Sequence, residues 1–255
     1  MNSPQDLSPS STPEVVALGG TARASPVRAF GILDLIFGPT GRRVRGDRHH
    51  EAVRNWIRCT DDTSLRAHAG CEQFVQELRR VQIIRAPLTC YRGRPHAGEM
   101  GPPTDAQAGA GRYNRDGVGV LYMSDLEVGV QRELRARPSS GPFGVQRFIW
   151  VQRFIITPQA RGIADLTMVD PASVIASTCW FAELAAPDGE PTFAFSQFVA
   201  ALVSDGFDGM RVPGVRGTDA VRYTNVVMFS PAERWRDWID TSTGPTRLSL
   251  DESDA

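Results

Sequence analysis

The chain has 255 residues, 41% hydrophobic and 22% charged, enough for one large domain or one domain with a small appendage. Its 28 basic and 29 acidic residues leave a formal net charge of −1, which excludes a general electrostatic drive toward nucleic acid or acidic membranes, so an anionic ligand has to be caught locally. Cys59, Cys71, Cys90 and Cys179 form no CxxC pair, and no run approaches the roughly 18 apolar residues of a membrane span; the expectation is a reduced, cytoplasmic protein without a cleaved signal, a reading that still admits secretion by a signal-less route.

Residues 1–28 are rich in Ser, Pro and Gly and poor in aromatics, which leaves too little apolar surface to offset the entropy of ordering, and they read as a flexible leader. Residues 29–82 read as a small helical N-terminal element. One segment carries His49, Glu51, Val53 and Trp56; the next repeats Cys71, Phe74, Leu78 and Val81 at helical spacing. The cluster Asp61 to Ser64 between them supplies a loop and a helix N-cap.

From Ile83 the pattern alternates strand and helix. IIRAPLTCYRGR is a β-prone run stopped by Gly93 and Pro95, and VGVLYM, Val118 to Met123, is a compact apolar strand. GVQRFIWVQRFIIT is a long strand containing a six-residue duplication, Val145 to Ile155. An even period keeps both copies in phase, with Val, Arg and Ile on one face and Gln, Phe and Trp on the other. TFAFSQFVAALVSDG is a helix ended by Gly206, and NVVMF, Asn225 to Phe229, is a late buried strand. Residues 83–232 therefore form one mixed α and β domain. The remainder, 233–255, reads as a short helix with Trp235 and Trp238 on one face, followed by a polar, acidic, frayed tail.

Within GRYNRDGVGVLYMSDLEVGVQREL, Gly111 to Leu134, Ser124 and Glu127 have the spacing of a capping box that opens a helix. Leu126, Val130 and Leu134 form its inward stripe, and at about 100° per residue Glu133 falls roughly 20° from Leu126. An inward carboxylate needs an Arg partner such as Arg92 or Arg132, a raised pKa, or an open cavity. Just before the strand, glycines on either side of Arg112, Tyr113 and Asn114 display a polar and aromatic group on a tight loop.

These residues resemble the RES domain family. Arg92 in CYRGR matches the family's arginine, and the central block resembles its glycine, arginine, aromatic and asparagine loop, its tyrosine-containing strand and its glutamate helix. SQFVAALVSDGFDGMRVPGVRGTDAVRYTNVVMF is similar to its closing helix, turn and asparagine-led strand. The resemblance spans about residues 83 to 231. It implies an α+β, ADP-ribosyltransferase-like mixed β-sheet with flanking helices, and a toxin that cleaves the nicotinamide N-glycosidic bond of NAD by hydrolysis or phosphorolysis. ADP-ribosyl transfer to an acceptor is the alternative, and a non-catalytic NAD-binding module a third.

On this resemblance Glu133 is the catalytic carboxylate that stabilises an oxocarbenium-like ribose. Arg92 holds phosphate or ribose, Arg112 adds a cation, and Tyr122 and Tyr113 orient the nicotinamide, with Asn225 also binding substrate. NAD is the substrate, no cofactor is needed, and an antitoxin or immunity protein is the implied partner. One position departs from the family: Gly214 follows Pro213 where a serine is usual, with Thr218 and Thr224 as the nearby hydroxyls.

Other constellations are weaker. His49, His50, Cys59, His68 and Cys71 are ligand types at the wrong spacing for zinc, so no metal site is expected. Cys90 and Cys179 lack a protease signature. GRRVRGDR, Gly41 to Arg48, reads as a solvated loop ahead of nucleic-acid binding.

Overall fold

The computed structural model describes residues 53, 55–59, 61–98, 100–135, 148–170, 173–181, 193–214, 222–229, 235–241 and 243–250. The expected leader 1–28, the basic stretch 41–48 and the final DESDA lie outside the described residues. Of the Val145 to Ile155 duplication, residues 145–147 do as well.

The N-terminal element is helical, as the periodicity predicts, and is divided more finely. Val53 and residues 55–57 are helical, and α1 (Asp62–Ala67) begins at Asp61, whose carboxylate accepts from the Ser64 N–H. The chain breaks at His68, whose Nδ1 accepts from the Gly70 N–H and opens α2 (Ala69–Leu78). Cys71, Phe74 and Leu78 line the buried side of α2, while Val81 lies beyond its end.

The expected first strand is two. β1 (Gln82–Ile84) and β2 (Leu88–Arg94) are separated by Arg85, Ala86 and Pro87, the proline removing a ladder donor. β3 (Leu121–Ser124), α3 (Glu127–Arg135), β4 (Phe148–Ile156), β5 (Ile163–Asp165), α4 (Val174–Phe181), α5 (Ala194–Ser204), β6 (Gly209–Pro213) and β7 (Thr224–Met228) follow. The predicted terminal helix is one 3-10 turn, Trp235–Asp237, with Trp235 and Trp238 both buried. Part of the predicted frayed tail is ordered: β8 (Ile239–Asp240) and β9 (Thr246–Ser249) both pair with β4, because the alternating Thr246–Ser249 stretch can complete the ladder of that long strand.

The strands form one sheet in the order β1-β5-β6-β7-β3-β2-β4-β8, antiparallel except for β5 with β6, and the fold is α+β. Between β3 and β2 the register holds a single pair, Tyr91 with Ser124, whereas β2 and β4 pair over seven positions. The sheet is thus two half-sheets joined at one point.

Burial follows the strand alternation. Trp56, Phe74, Phe198 and Val203 pack with Ala164, Met210, Val212 and Val227 on the helical face. On the opposite face Cys90, Met123, Phe154, Ile156 and Met228 pack with Trp235 and Trp238. β4 obeys the predicted division: Ile149, Val151, Arg153 and Ile155 share one face, and Trp150, Gln152 and Phe154 the other.

Helix α3 lies over the joint between the half-sheets. A Cβ at Gly93 of β2 would meet Val130 Cγ1 at 2.3 Å and Leu134 Cδ1 at 2.8 Å, so the helix rests directly on the strand backbone. Among the described residues no helix is long and apolar enough to cross a membrane. Gly93→Ala is expected to lower stability by about 1–3 kcal/mol through overpacking, read as a reduced melting temperature by calorimetry; an unchanged value would mean that α3 is not seated on β2.

Candidate functional site

Helix α3 begins at Glu127, so the sequence stripe is shifted. Leu126 precedes the helix and is 41% exposed, while Val130 and Leu134 face the sheet with Ile149, Val151 and Tyr91. Ser124 belongs to β3, where its hydroxyl donates to the Thr224 carbonyl at 3.2 Å and accepts from the Leu126 N–H, two residues on, at 3.4 Å. The capping-box expectation gives way to strand pairing, which extends β3 to Ser124.

Glu133 is half-buried on α3 and turned toward β7. Its Oε1 accepts from the Tyr223 hydroxyl at 2.9 Å and from the Asn225 side-chain amide at 2.9 Å. Tyr223 and Asn225 are two residues apart in extended chain and so share a face. Asn225 pairs with Ser124, and Tyr122 pairs with Val227, so Tyr122 lies on the same helical face two residues along β3.

The residue between them is anchored on the other face. The Thr224 N–H donates to Asp125 Oδ1 at 2.7 Å and its hydroxyl to Asp125 Oδ2 at 2.6 Å, while the Asp125 N–H returns a bond to the Thr224 carbonyl. Arg211 of β6 donates through Nε to the Thr224 hydroxyl at 2.9 Å and forms ion pairs with Asp125 at 3.2 Å and with Asp165 at 3.5 Å. Asp165 is nearly fully buried and also accepts from Thr167. Hydrogen bonds to ionised groups are the stronger class, and here they fix the β3–β7 end from below.

The loop before β3 is built with equal economy. Asn114, 7% exposed, donates its side-chain amide to the carbonyls of Gly109, Arg115 and Val118. Gln197 of α5 donates to the carbonyls of Gly111 and Asn114. The Tyr122 hydroxyl accepts from the Tyr113 N–H at 2.7 Å and donates to Asn114 Oδ1 at 2.9 Å. Gly117 turns the chain at φ 74°, a conformation that glycine adopts without strain. Arg115 reaches back to Asp62 of α1, a pair about half exposed at both ends and so worth little by itself.

The predicted site residues fall into three groups. Glu133 and Asn225 are in contact, and Tyr223, which the sequence reading missed, joins their cluster; its signal was the two-residue strand spacing from Asn225. Tyr113 and Tyr122 stack with centroids 6.3 Å apart, but Tyr113 is 6% exposed within the helical-face core and the Tyr122 hydroxyl is committed to the loop. Arg112 is half-buried in that loop, its carbonyl accepting from Ser196 of α5. Arg92 is 9% exposed and pairs with Gln152, which by alternation sets it on the Cys90 and Phe154 face, opposite the face carrying Glu133.

Gly214 and its neighbours are also placed. A Cβ there would lie 2.2 Å from Tyr223 Cε2, so the tyrosine ring occupies the space of any side chain at that position. Thr224 is turned to the Asp125 and Arg211 side, and Thr218 lies outside the described residues.

Burial, with the Asp125 charge adding and Arg211 opposing, pushes the Cys90 thiol up to about 12, which holds it protonated and non-nucleophilic at neutral pH. The Cys179 side chain lies outside the described residues. His68 is engaged as a cap and stacks on Trp56, and among the described residues no group of three or more His, Cys, Asp or Glu could hold a metal. His49 and His50 lie outside the described residues.

The RES domain family matches residues 85–245. Among solved structures, the chain is similar to the crystal structure of the M. tuberculosis MbcT-MbcA toxin-antitoxin complex, with 15% identity and a TM-score of 0.48, covering 71% of this chain and 95% of that one. No curated protein matches.

Asn114→Ala is expected to destabilise the protein by about 1–3 kcal/mol, because three loop carbonyls lose their donor at once. Limited proteolysis between residues 109 and 119 should accelerate with it; resistance equal to the wild type would remove Asn114 from its place as organiser of the loop.

Proposed function

Because the chain belongs to the RES domain family, we propose that it consumes NAD by cleaving the nicotinamide N-glycosidic bond, with water or phosphate as acceptor, and acts as a toxin restrained by an antitoxin or immunity protein. The observation that carries this reading is the carboxylate of Glu133, held on Oε1 by Tyr223 and Asn225 at the joint of the two half-sheets. The split mixed sheet is in keeping with the ADP-ribosyltransferase-like architecture that the family resemblance implies.

In this reaction the bond from ribose C1′ to the ring nitrogen breaks with its electron pair leaving on nitrogen, so the pyridinium becomes neutral nicotinamide. Positive charge develops on the ribose, and water or phosphate then adds to C1′, water losing a proton to solvent. A fixed carboxylate stabilises that charge without reorganising as it forms. Glu133 is assigned this task.

Arg92 is assigned the phosphates. A guanidinium is permanently charged and matches phosphate geometry. Arg112 is the second cation in this reading. Tyr122 contributes its ring to the nicotinamide while its hydroxyl holds the loop, and Tyr113 supports that ring from behind. The near balance of charge is consistent with a small anionic substrate caught locally and with no nucleic-acid partner. The cytoplasm, where NAD is abundant, is the assigned site of action.

Purified protein incubated with NAD, with and without phosphate, should release free nicotinamide, and Glu133→Gln should lower the rate about 100-fold or more. Label on the adenylate half of NAD then separates the outcomes: free ADP-ribose marks hydrolysis, its 1″-phosphate marks phosphorolysis, and label retained on protein marks transfer. Nicotinamide release by neither route would overturn the assignment and leave a non-catalytic module.

A further inference from the structure

We infer that Tyr223 is a positioning residue for Glu133: its hydroxyl fixes the carboxylate that the proposed reaction uses, supplying from the residue just before β7 a donor that position 214 cannot carry. The inference rests on the assignment of Glu133 as the charge-stabilising group.

Three independent contacts place Tyr223 there. Its hydroxyl donates to Glu133 Oε1 at 2.9 Å, the oxygen that Asn225 also addresses. Its ring is 1% exposed and lies between two glycines: a Cβ at Gly129 of α3 would meet the ring at 2.6 Å, and one at Gly214 would meet it at 2.2 Å. The Gly214 N–H donates to the Tyr223 carbonyl at 2.9 Å, tying the end of β6 to the residue that precedes β7.

The two glycines are what the ring requires. Any side chain at position 214 would displace it, and any at position 129 would lift α3, which carries Glu133, off the strand. The Thr224 clamp formed by Asp125 and Arg211 on the other face prevents the β7 end from rotating. Tyr223 and Asn225 therefore point at one oxygen from a backbone that is itself fixed.

A preset carboxylate acts on the rate of bond cleavage more than on binding of the ground state, so losing the hydroxyl should change kcat and spare KM. Tyr223→Phe keeps the ring between the glycines and removes only the donor. With NAD as substrate, kcat is expected to fall about 10-fold or more, with KM within twofold and a melting temperature close to the wild type. A crystal structure of the variant should show the Glu133 carboxylate turned away from its wild-type position.

Full kcat in Tyr223→Phe, with an active wild type, would overturn the inference. Should the wild type release no nicotinamide, the assigned reaction falls and the crystal structures decide the positioning alone: a displaced Glu133 carboxylate in the variant upholds it, and an unmoved one overturns it.

Discussion

The pairing of Asp125 with Thr224 is the constraint on which the site depends. It joins the residue after β3 to the first residue of β7 through both side-chain oxygens and both backbone amides, and Arg211 brings β6 into the same network. Because successive residues of an extended strand point to opposite faces, clamping Thr224 on one side aims Tyr223 and Asn225 at the other. The acid they meet comes from α3, which starts only two residues after Asp125. One short ladder end thus holds the acid together with the Tyr223 and Asn225 donors.

Close backbone approach sets the remaining geometry. Gly93 lets α3 sit on β2, Gly129 lets it sit against Tyr223, and Gly214 leaves room for the tyrosine ring. The half-sheets meet at the single pair Tyr91 with Ser124, directly under this helix. A bulky residue at any of the three glycines would disturb the packing that brings Glu133 to β7.

Much of this was legible in the sequence. The 3.6-residue repeat of Cys71, Phe74 and Leu78 located α2, and the even period of VQRFI fixed the two faces of β4. Glu133 and Asn225 were singled out separately, and the fold brings them into contact. Non-local facts were less accessible. The role of Tyr223 depends on pairing across about 90 residues of chain, and the placement of Arg92 on the opposite face follows from a register that local patterns do not encode. The apparent stripe through Leu126 failed because strand pairing claimed Ser124 and delayed the helix start to Glu127. Gly214, read as a missing hydroxyl, also leaves the space in which the Tyr223 ring lies.

A crystal structure of the Glu133→Gln variant with NAD bound tests most directly whether this cluster is the reaction centre. The expected result is intact NAD with ribose C1′ of its nicotinamide half beside residue 133, within reach of the Tyr223 and Asn225 side chains. NAD seated elsewhere on the protein, or no bound NAD at concentrations that saturate turnover in the wild type, would contradict the assignment.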